Sequence, residues 1–262
     1  MVSILTHPII QEDIEFVFKI VGKDLERLQG KRVLITGGRG FIGTWLLESF
    51  TWVNDRLNLG ASALVLTRDH DGFQKKVPHL AAHPAIQFHI GDVRNINFPE
   101  GEFSHIIHAA TSASAKLNDE DPLLMFDTII EGTKHILNFA AQCHAKKFLL
   151  TSSGAVYGQQ PSDMTHVPED YCGASDPADP NAAYGEGKRA AELLCALYSK
   201  KFGIETKIAR CVAFVGPYLP LDIHYAIGNF IRDGLNGGSI QVIGDGTPYR
   251  SYLYAADLAI WL

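Results

Sequence analysis

The sequence of 262 residues lacks a cysteine framework, a basic segment and a long apolar run, and each absence excludes a class of protein. Its four cysteines form no Cys-x-x-Cys pair and its histidines no cluster at zinc spacing, so we expect reduced thiols and no bound metal. The formal net charge is -6 and the chain has no basic block, so it lacks the positive charge that is typical of proteins that bind nucleic acid or an anionic membrane. No apolar stretch has the length of a membrane-spanning helix.

The two ends of the sequence carry further expectations. Residues 1–8 contain no basic segment leading into an apolar run, so we expect no secretory signal and a cytoplasmic location. Residues 257–262 are apolar and have a helical pattern without a cap or a polar tail. We therefore expect that the natural chain continues and that part of a C-terminal lobe is absent.

Apolar runs alternate with helical patterns along most of the chain. The predicted strands are 31–36, 63–67, 86–90, 105–109, 147–151, 205–210 and 240–243, and the predicted helices are 13–21, 23–29, 41–54, 121–142, 184–202 and 222–235. Unbroken apolar strands separated by helices are typical of a parallel sheet that is covered on both faces. The pattern therefore predicts an α/β fold, a doubly wound parallel sheet of the Rossmann type.

A glycine-rich turn follows the first predicted strand and opens a helix. Gly37, Gly40 and Gly43 have the spacing that lets a backbone turn sharply and approach a dinucleotide pyrophosphate at a helix N-terminus. Phe41 and Ile42 lie between the second and third of these glycines and belong to the same predicted site. The alternative is a tight strand-to-helix turn without a ligand. The turn predicts a site for NAD or NADP.

The end of the second strand bears on the choice between these two cofactors. Arg68, together with Arg39 in the glycine turn, places two guanidinium groups near the expected ribose, which favours the 2′-phosphate of NADP. Asp69 favours NAD instead, because a carboxylate at this position binds the free ribose hydroxyls of NAD. The two arginines can also simply face solvent. We expect NADP slightly more than NAD.

Two later strand ends are predicted to complete the cofactor site. Asp92, with Val93 beside it, follows the third strand and is placed to reach the adenine edge. Ala109 and Ala110 end the next strand under the nicotinamide, where small side chains leave room for the ring.

Tyr184 and Lys188 are one helical turn apart and face the same way. We expect the ammonium, a positive nicotinamide and the helix N-terminus to lower the pKa of the phenol from about 10. Ser153, at the end of a strand, can hydrogen-bond the same substrate oxygen. The alternatives are an ordinary surface pair and a non-catalytic dinucleotide-binding protein. Beside the glycine turn, these residues predict an enzyme that moves a hydride and a proton at one carbon.

From about residue 31 onward, the chain resembles the extended short-chain dehydrogenase/reductases that act on nucleotide sugars. The resemblance lies in Thr36–Gly43, Gly91-Asp92-Val93, His108-Ala109-Ala110, Thr151–Gly158, Tyr184–Lys188 and Arg250–Asp257. It implies an NAD(P)-binding Rossmann domain with the catalytic residues at 31–215 and a smaller, partial substrate-binding lobe at 216–262. Residues 1–30 then form an N-terminal helical extension.

The resemblance also implies a substrate and a partner. Arg250 is expected to meet the diphosphate of a nucleotide-diphosphate sugar, and Asn229 and the loop 216–225 to line the nucleotide-sugar site. The helices at 121–142 and 184–202 are expected to form a homodimer through a four-helix interface.

The residues after Ser153 help to choose among reactions of the family. Gly154 and Ala155 cannot transfer a proton through a side chain, whereas 4,6-dehydratases carry an acidic pair here and UDP-glucuronate decarboxylases a glutamate. The stretch is similar to that of UDP-galactose 4-epimerase and favours hydride transfer at C4 by an epimerase or a 4-ketoreductase. The sequence around Tyr184 resembles the decarboxylases instead, so a UDP-glucuronate-type decarboxylase or a 4,6-dehydratase is the alternative.

Overall fold

The computed structural model describes residues 8–111, 115–223, 225–242, 244–247 and 249–262. Three sets of predicted positions lie outside the described residues. They are residues 1–7 of the N-terminal extension, position 224 of the predicted helix 222–235 and position 243 of the predicted strand 240–243.

Six parallel strands form the central sheet. They are β1 Arg32–Thr36, β2 Ser62–Thr67, β3 Ile86–Ile90, β4 His105–His108, β5 Lys147–Ser153 and β6 Glu205–Cys211. Their order in the sheet is β3-β2-β1-β4-β5-β6. The chain therefore adds β2 and β3 on one side of β1 and then crosses over to add β4, β5 and β6 on the other side, which places the switch point between β1 and β4. This order confirms the doubly wound α/β fold, and its switch point opens a crevice at the carboxyl ends of the strands.

Helices cover both faces of this sheet. They are α1 Pro8–Leu25, α2 Phe41–Leu57, α3 His70–Lys76, α4 Pro78–Ala81, α5 Ala115–Glu120, α6 Pro122–Gln142, α7 Ala183–Phe202, α8 Ala226–Leu235 and α9 Ala255–Trp261. Short 3-10 turns lie at Glu26–Leu28, Gly154–Tyr157 and Pro180–Ala182. A second, two-stranded parallel sheet pairs β7 Phe214–Val215 with β8 Leu253–Tyr254.

The first strand shows why a strand that is buried on both faces is apolar without a break. Leu34 of β1 packs into the cluster formed with α6 and α7 on one face of the sheet. Its neighbours Val33 and Ile35 pack into a separate cluster with α2, α3 and α4 on the other face. Successive side chains of a strand point to opposite faces, so burial on both sides requires every position to be apolar.

The N-terminal helix packs against both α2 and α9. Ile14 and Val17 of α1 are fully buried in a cluster with Trp45 of α2 and Ala255 of α9. Asp13 also accepts a 2.6 Å hydrogen bond from the Tyr254 hydroxyl. The two helices predicted at 13–21 and 23–29 are instead one helix that ends at Leu25. Gly22, between the two predicted helices, weakens a helix by about 1 kcal/mol, and burial of the apolar face outweighs this cost.

The strand predicted at 240–243 is not found over residues 240–242, and this prediction was wrong. Ile240 and Val242 are exposed, and the Gln241 N–H donates to the Asp233 carboxylate at 3.3 Å rather than to another strand. An alternating apolar pattern forms a strand only where a neighbouring strand pairs with it and a core covers one face. The short strands β7 and β8, which do pair, are too brief to give a pattern in the sequence.

We expect Ile14→Ala to lower the free energy of unfolding by about 2–5 kcal/mol, because Ile14 is fully buried between three helices. The matched control is Ile20→Ala on the same helix, where the side chain is 54% exposed, and its expected change is within about 0.5 kcal/mol. Urea denaturation followed by circular dichroism measures both. Equal effects from the two variants would contradict the burial of α1 against α2 and α9.

Candidate active site

The glycine turn lies between the end of β1 and the start of α2. Gly37 has φ +73°, and a Cβ atom on it would overlap the Ala109 carbonyl group. A Cβ atom on Gly43 would overlap the Gly37 carbonyl group, so both positions need a residue without a side chain. Gly40 caps α2 without a side chain, which leaves the N–H groups of the first helical turn available to an anion.

The carboxyl end of β4 lies beside this turn and is held there by hydrogen bonds. The Thr36 hydroxyl accepts hydrogen bonds of 3.1 Å from the N–H groups of both Ala109 and Ala110. On the other side, Phe41 stacks on Phe214 of β7 with ring centroids 6.1 Å apart. The structure therefore brings the predicted glycines and the two alanines together at the switch point of the sheet.

Three charged side chains lie at the end predicted to hold the ribose. Arg39 forms an ion pair with Asp69, whose other carboxylate oxygen accepts the Gly72 N–H at 2.8 Å and caps α3. Lys76 donates to the Arg39 carbonyl oxygen at 2.9 Å, and burial, followed by the charge of Arg39, lowers its pKa to about 8. Sequence reasoning missed Lys76, because nothing in the pattern of α3 indicates that it turns toward the glycine turn.

Asp92 and Val93 differ in their surroundings. The Asp92 carboxylate accepts hydrogen bonds of 2.9 and 3.0 Å from the Arg94 side chain, which hold its pKa below the usual range. Arg68 also lies 3.9 Å from this carboxylate. Val93 is buried and packs against Gly132 of α6. A role of Val93 in cofactor binding stays a prediction, and its side chain belongs to the core.

Ser153, Tyr184 and Lys188 converge at the carboxyl edge of the sheet. The ammonium of Lys188 is buried and donates to the Thr151 carbonyl oxygen at 2.8 Å and to the Thr111 hydroxyl at 2.9 Å. It lies 6.0 Å from the centroid of the Tyr184 ring. The Ser153 side chain is near enough to the Tyr184 phenol to lower its pKa. The three predicted catalytic residues are thus one group.

The start of α7, which carries two of these residues, is held from outside the helix. The Tyr184 N–H donates to the Asn118 side-chain oxygen of α5 at 3.1 Å. Asn118 also donates to the Asn181 carbonyl oxygen at 3.0 Å, so it bridges the turn that leads into the helix. An amide side chain from α5 therefore satisfies a helix N-terminal donor that α7 itself leaves open.

Burial controls the protonation of this group. It lowers the pKa of Lys188 to about 8, against the opposing effects of Cys211, Glu192 and Cys195. It also raises the pKa of Tyr184, although the neighbouring Ser153 hydroxyl acts in the other direction. In the protein alone, desolvation of the phenolate therefore exceeds what the surrounding side chains supply. The expected lowering of the Tyr184 pKa includes the charge of a nicotinamide and stays a prediction.

Two further side chains act electrostatically on Tyr184. Sequence reasoning missed Cys211, whereas Tyr225 lies in the loop 216–225 that the resemblance assigns to the nucleotide-sugar site. Cys211 is the register partner of Ser153 in the pairing of β5 with β6, and Tyr225 immediately precedes α8. The ionised form of either group raises the pKa of Tyr184, which places both within electrostatic reach of the phenol. Neither stands in a motif, and only the strand order brings Cys211 beside Ser153.

The two residues predicted to contact substrate have other described partners. Asn229 lies in α8, and its side-chain oxygen accepts from Arg232 at 3.2 Å. Arg250 is exposed and donates to the Tyr249 carbonyl oxygen at 3.0 Å. Among the described hydrogen bonds, none joins either residue to the glycine turn or to Tyr184, so their roles stay predictions.

The described ranges contain no group of three or more His, Cys, Asp and Glu side chains arranged to hold a metal ion. None of the helices in this part of the chain is long and apolar enough to cross a membrane.

The strand order and the turn at the switch point define a dinucleotide-binding protein of the Rossmann class. A sequence model of the NAD dependent epimerase/dehydratase family matches residues 33–261. The chain therefore belongs to this family of extended short-chain dehydrogenase/reductases.

Curated relatives include UDP-glucuronic acid decarboxylase 1 of Xenopus tropicalis and of Danio rerio. Each is 32% identical over 237 residues, or 90% of this chain, and the match covers 53% and 54% of their lengths. The chain thus spans about half the length of these relatives.

Solved structures of two other enzymes are similar to the fold. A UDP-galactose 4-epimerase is 26% identical with a TM-score of 0.67, covering 87% of this chain and 69% of that one. The dTDP-glucose 4,6-dehydratase DesIV of Streptomyces venezuelae, with NAD and TYD bound, is 25% identical with a TM-score of 0.73 and the same coverage of both chains. Relatives that bear the names of three different reactions show the family and leave the reaction open.

We expect Gly43→Ala to weaken NAD binding about tenfold or more, because the new Cβ atom overlaps the backbone of the turn, at a cost of about 1–3 kcal/mol. Gly234→Ala in α8 is the control, since no heavy atom lies within 4 Å of its added Cβ. Calorimetric titration with NAD measures the affinity, and circular dichroism checks that both variants are folded. Unchanged affinity in a folded Gly43→Ala variant would contradict the assignment of this turn to the cofactor.

Proposed function

We propose that the protein is an NAD-dependent enzyme that transfers a hydride at C4 of a nucleotide-diphosphate sugar, as a 4-epimerase or a 4-ketoreductase. The observation that carries this proposal is the convergence of Ser153, Tyr184 and Lys188 beside the glycine turn. Gly154 and Ala155 follow Ser153 and offer no side chain for a second proton transfer. These side chains suit oxidation and reduction at a single carbon atom. In this proposal residues 31–215 hold the cofactor and residues 216–262 contribute to the substrate site.

The three side chains have separate tasks in the proposed reaction. Tyr184 exchanges the proton of the C4 hydroxyl, and Ser153 hydrogen-bonds the same oxygen. Lys188, held by the Thr151 carbonyl oxygen and the Thr111 hydroxyl, favours the phenolate through its positive charge. When bound, NAD would supply the hydride acceptor and a positive charge, and that charge would oppose the desolvation that raises the pKa of Tyr184 in the protein alone.

We propose NAD rather than NADP as the cofactor. The argument for NADP depends on free guanidinium groups, whereas Arg39 is paired with Asp69 and Arg68 lies near Asp92. A 2′-phosphate at this corner also meets the negative charge of Asp69, whereas uncharged ribose hydroxyls can donate to it. The name of the family and the NAD-bound dehydratase structure support the same choice.

A second candidate, decarboxylation of a UDP-glucuronate-type substrate, is supported by the two relatives at 32% identity. It begins with the same oxidation at C4, which turns the sugar acid into a β-keto acid that loses carbon dioxide without a dedicated carboxylate base. A 4,6-dehydration has less support, because it needs an acid and a base where Gly154 and Ala155 stand.

The test is a panel of UDP-hexoses, UDP-N-acetylhexosamines, UDP-glucuronate and dTDP-glucose, each with NAD and with NADP. Products are read by mass spectrometry and, for isomers, by nuclear magnetic resonance. A C4 epimer, or a 4-keto sugar reduced at the expense of added NADH, supports the first proposal. Loss of carbon dioxide from UDP-glucuronate supports the second candidate. Loss of water from dTDP-glucose contradicts both.

We expect Tyr184→Phe to lower kcat by about 10²–10⁴-fold, since it removes the proton-exchanging hydroxyl. Tyr198→Phe is the matched control on the same helix, because that hydroxyl contacts Asn138 away from the glycine turn. Steady-state kinetics with the active substrate measures both variants. A fully active Tyr184→Phe enzyme would overturn the catalytic assignment.

We also propose that the protein forms a homodimer through α6 and α7. Leu123 of α6 and Leu193 and Leu197 of α7 are 76%, 60% and 52% exposed. The two helices pack side by side on one face of the sheet, so their exposed leucines lie on adjacent helices. A second copy of the chain, related by a two-fold axis, covers this apolar face with the same face of its own.

We expect Leu193→Asp to convert a dimer to a monomer, because it places a charge at the centre of the apolar face. Leu235→Asp is the control, since Leu235 is also largely exposed but lies on α8. Light scattering coupled to size-exclusion chromatography gives the mass of each. A monomeric wild-type chain, or a dimer unaffected by Leu193→Asp, would contradict the proposed interface.

A further inference from the structure

A mostly buried carboxylate joins three elements next to the catalytic group. Glu192 of α7 has a side chain that is 13% exposed. Arg210 of β6 donates to it at two points, Nη2 to Oε2 at 2.8 Å and Nε to Oε1 at 3.1 Å. The Ser152 hydroxyl of β5 donates to Oε1 at 2.6 Å. Ser152 and Arg210 are register partners in the sheet, so adjacent strands present both donors to one acceptor.

The same arginine reaches the segment 158–183. Its Nη1 donates to the Glu169 carbonyl oxygen at 2.9 Å, and its guanidinium lies 4.7 Å from the centroid of the Tyr157 ring. Arg210 thus uses its planar fork on Glu192 and its remaining donor on the backbone of this segment. The network extends from the end of β5 to the chain that follows the catalytic serine.

A second arginine strengthens the same connection from α7. Arg189 donates to the Gly173 carbonyl oxygen at 2.8 Å and to the Val156 carbonyl oxygen at 3.2 Å. Gly173 belongs to the segment 158–183, and Val156 to the 3-10 turn directly after Ser153. Backbone carbonyl groups within this turn and in the segment after it are therefore held by guanidinium groups from α7 and β6.

We propose that Glu192 is a positioning residue for the catalytic group, which with Arg210 and Ser152 fixes the carboxyl end of β5 against α7. Ser153 follows Ser152 directly, and Tyr184, Lys188 and Glu192 follow one another at four-residue steps along α7. Fixing Ser152 to Glu192 therefore sets the distance between the hydroxyl of Ser153 and the phenol of Tyr184. The catalytic consequence rests on the proposed function, whereas the network itself does not.

Glu192 also acts on Lys188 by its charge. The titratable groups that face Lys188 come from three elements and are His108 of β4, Tyr184, Glu192 and Cys195 of α7, and Cys211 of β6. Burial lowers the pKa of His108 to about 3, so it carries no charge near neutral pH. Removal of the Glu192 charge leaves burial of Lys188 less opposed, so its pKa falls further below about 8. The ammonium is then lost at a lower pH.

The kinetic test uses Glu192→Gln, which keeps the shape and one acceptor oxygen but removes the charge. We expect kcat to fall by about 10- to 100-fold, as for a misplacement of reacting groups by a fraction of an ångström to 1 Å, with KM little changed. The alkaline limb of the pH profile should move to lower pH. Glu205→Gln is the matched control, because it removes the same charge from the start of β6, where Glu205 pairs only with exposed Lys147 and Lys207 in the described contacts. Equal kcat and equal pH profiles in the two variants would overturn the proposal.

A second measurement does not depend on turnover. Hydrogen exchange followed by mass spectrometry should show faster exchange over residues 158–183 in Glu192→Gln and Arg210→Lys than in the wild type, and no change in Glu205→Gln. Ser152→Ala, which removes a single donor, is expected to give a smaller effect in the same segment. If the wild-type chain turns over no substrate of the panel, the proposed function fails while this exchange result still decides the network. Unchanged exchange in all of these variants would overturn the network.

Discussion

The close approach of two backbones at the carboxyl ends of β1 and β4 sets the position of the whole site. At Gly37 the chain turns with φ +73°, and the space beside its Cα is occupied by the Ala109 carbonyl group. The Thr36 hydroxyl joins the same two strand ends by accepting the N–H groups of Ala109 and Ala110. Because the strand order reverses at this junction, the crevice that opens there is bordered by the N-terminus of α2.

A second constraint is the burial of charge along α7. The Lys188 ammonium has lost its water and depends on the Thr151 carbonyl oxygen and the Thr111 hydroxyl for partners. One turn later the Glu192 carboxylate depends on Arg210 and Ser152 in the same way. A buried charge is tolerated only where its hydrogen bonds are satisfied, so each of these residues fixes the strand that supplies its partners. The helix, β5 and β6 are therefore held in one arrangement by polar contacts as well as by packing.

The chain after β6 is held against helices α1 and α2 by polar contacts. The Trp45 indole N–H donates to the Pro217 carbonyl oxygen at 2.9 Å, and the Tyr218 hydroxyl donates to the buried Glu48 carboxylate at 2.6 Å. Asp13 of α1 accepts from Tyr254 of β8. Since β8 pairs with β7, the N-terminal helix supports the segment in which substrate contacts are proposed.

Local sequence determined the central strands, the glycine turn, and the phenol and ammonium on α7, because each of these signals lies within a few consecutive residues. Strand patterns were reliable where a neighbouring strand pairs with them, including the largely exposed edge strand β6, and wrong at 240–242, where no described neighbour pairs with the pattern. Tertiary structure alone decided the strand order, the placement of Cys211 beside Ser153, the ion pair of Arg210 with Glu192 and the electrostatic effect of Tyr225 on Tyr184. Tertiary structure also decided the direction in which the protein alone shifts the pKa of Tyr184. The pKa of a buried group is a sum over desolvation and every neighbouring charge, and those neighbours come from elements far apart in the sequence.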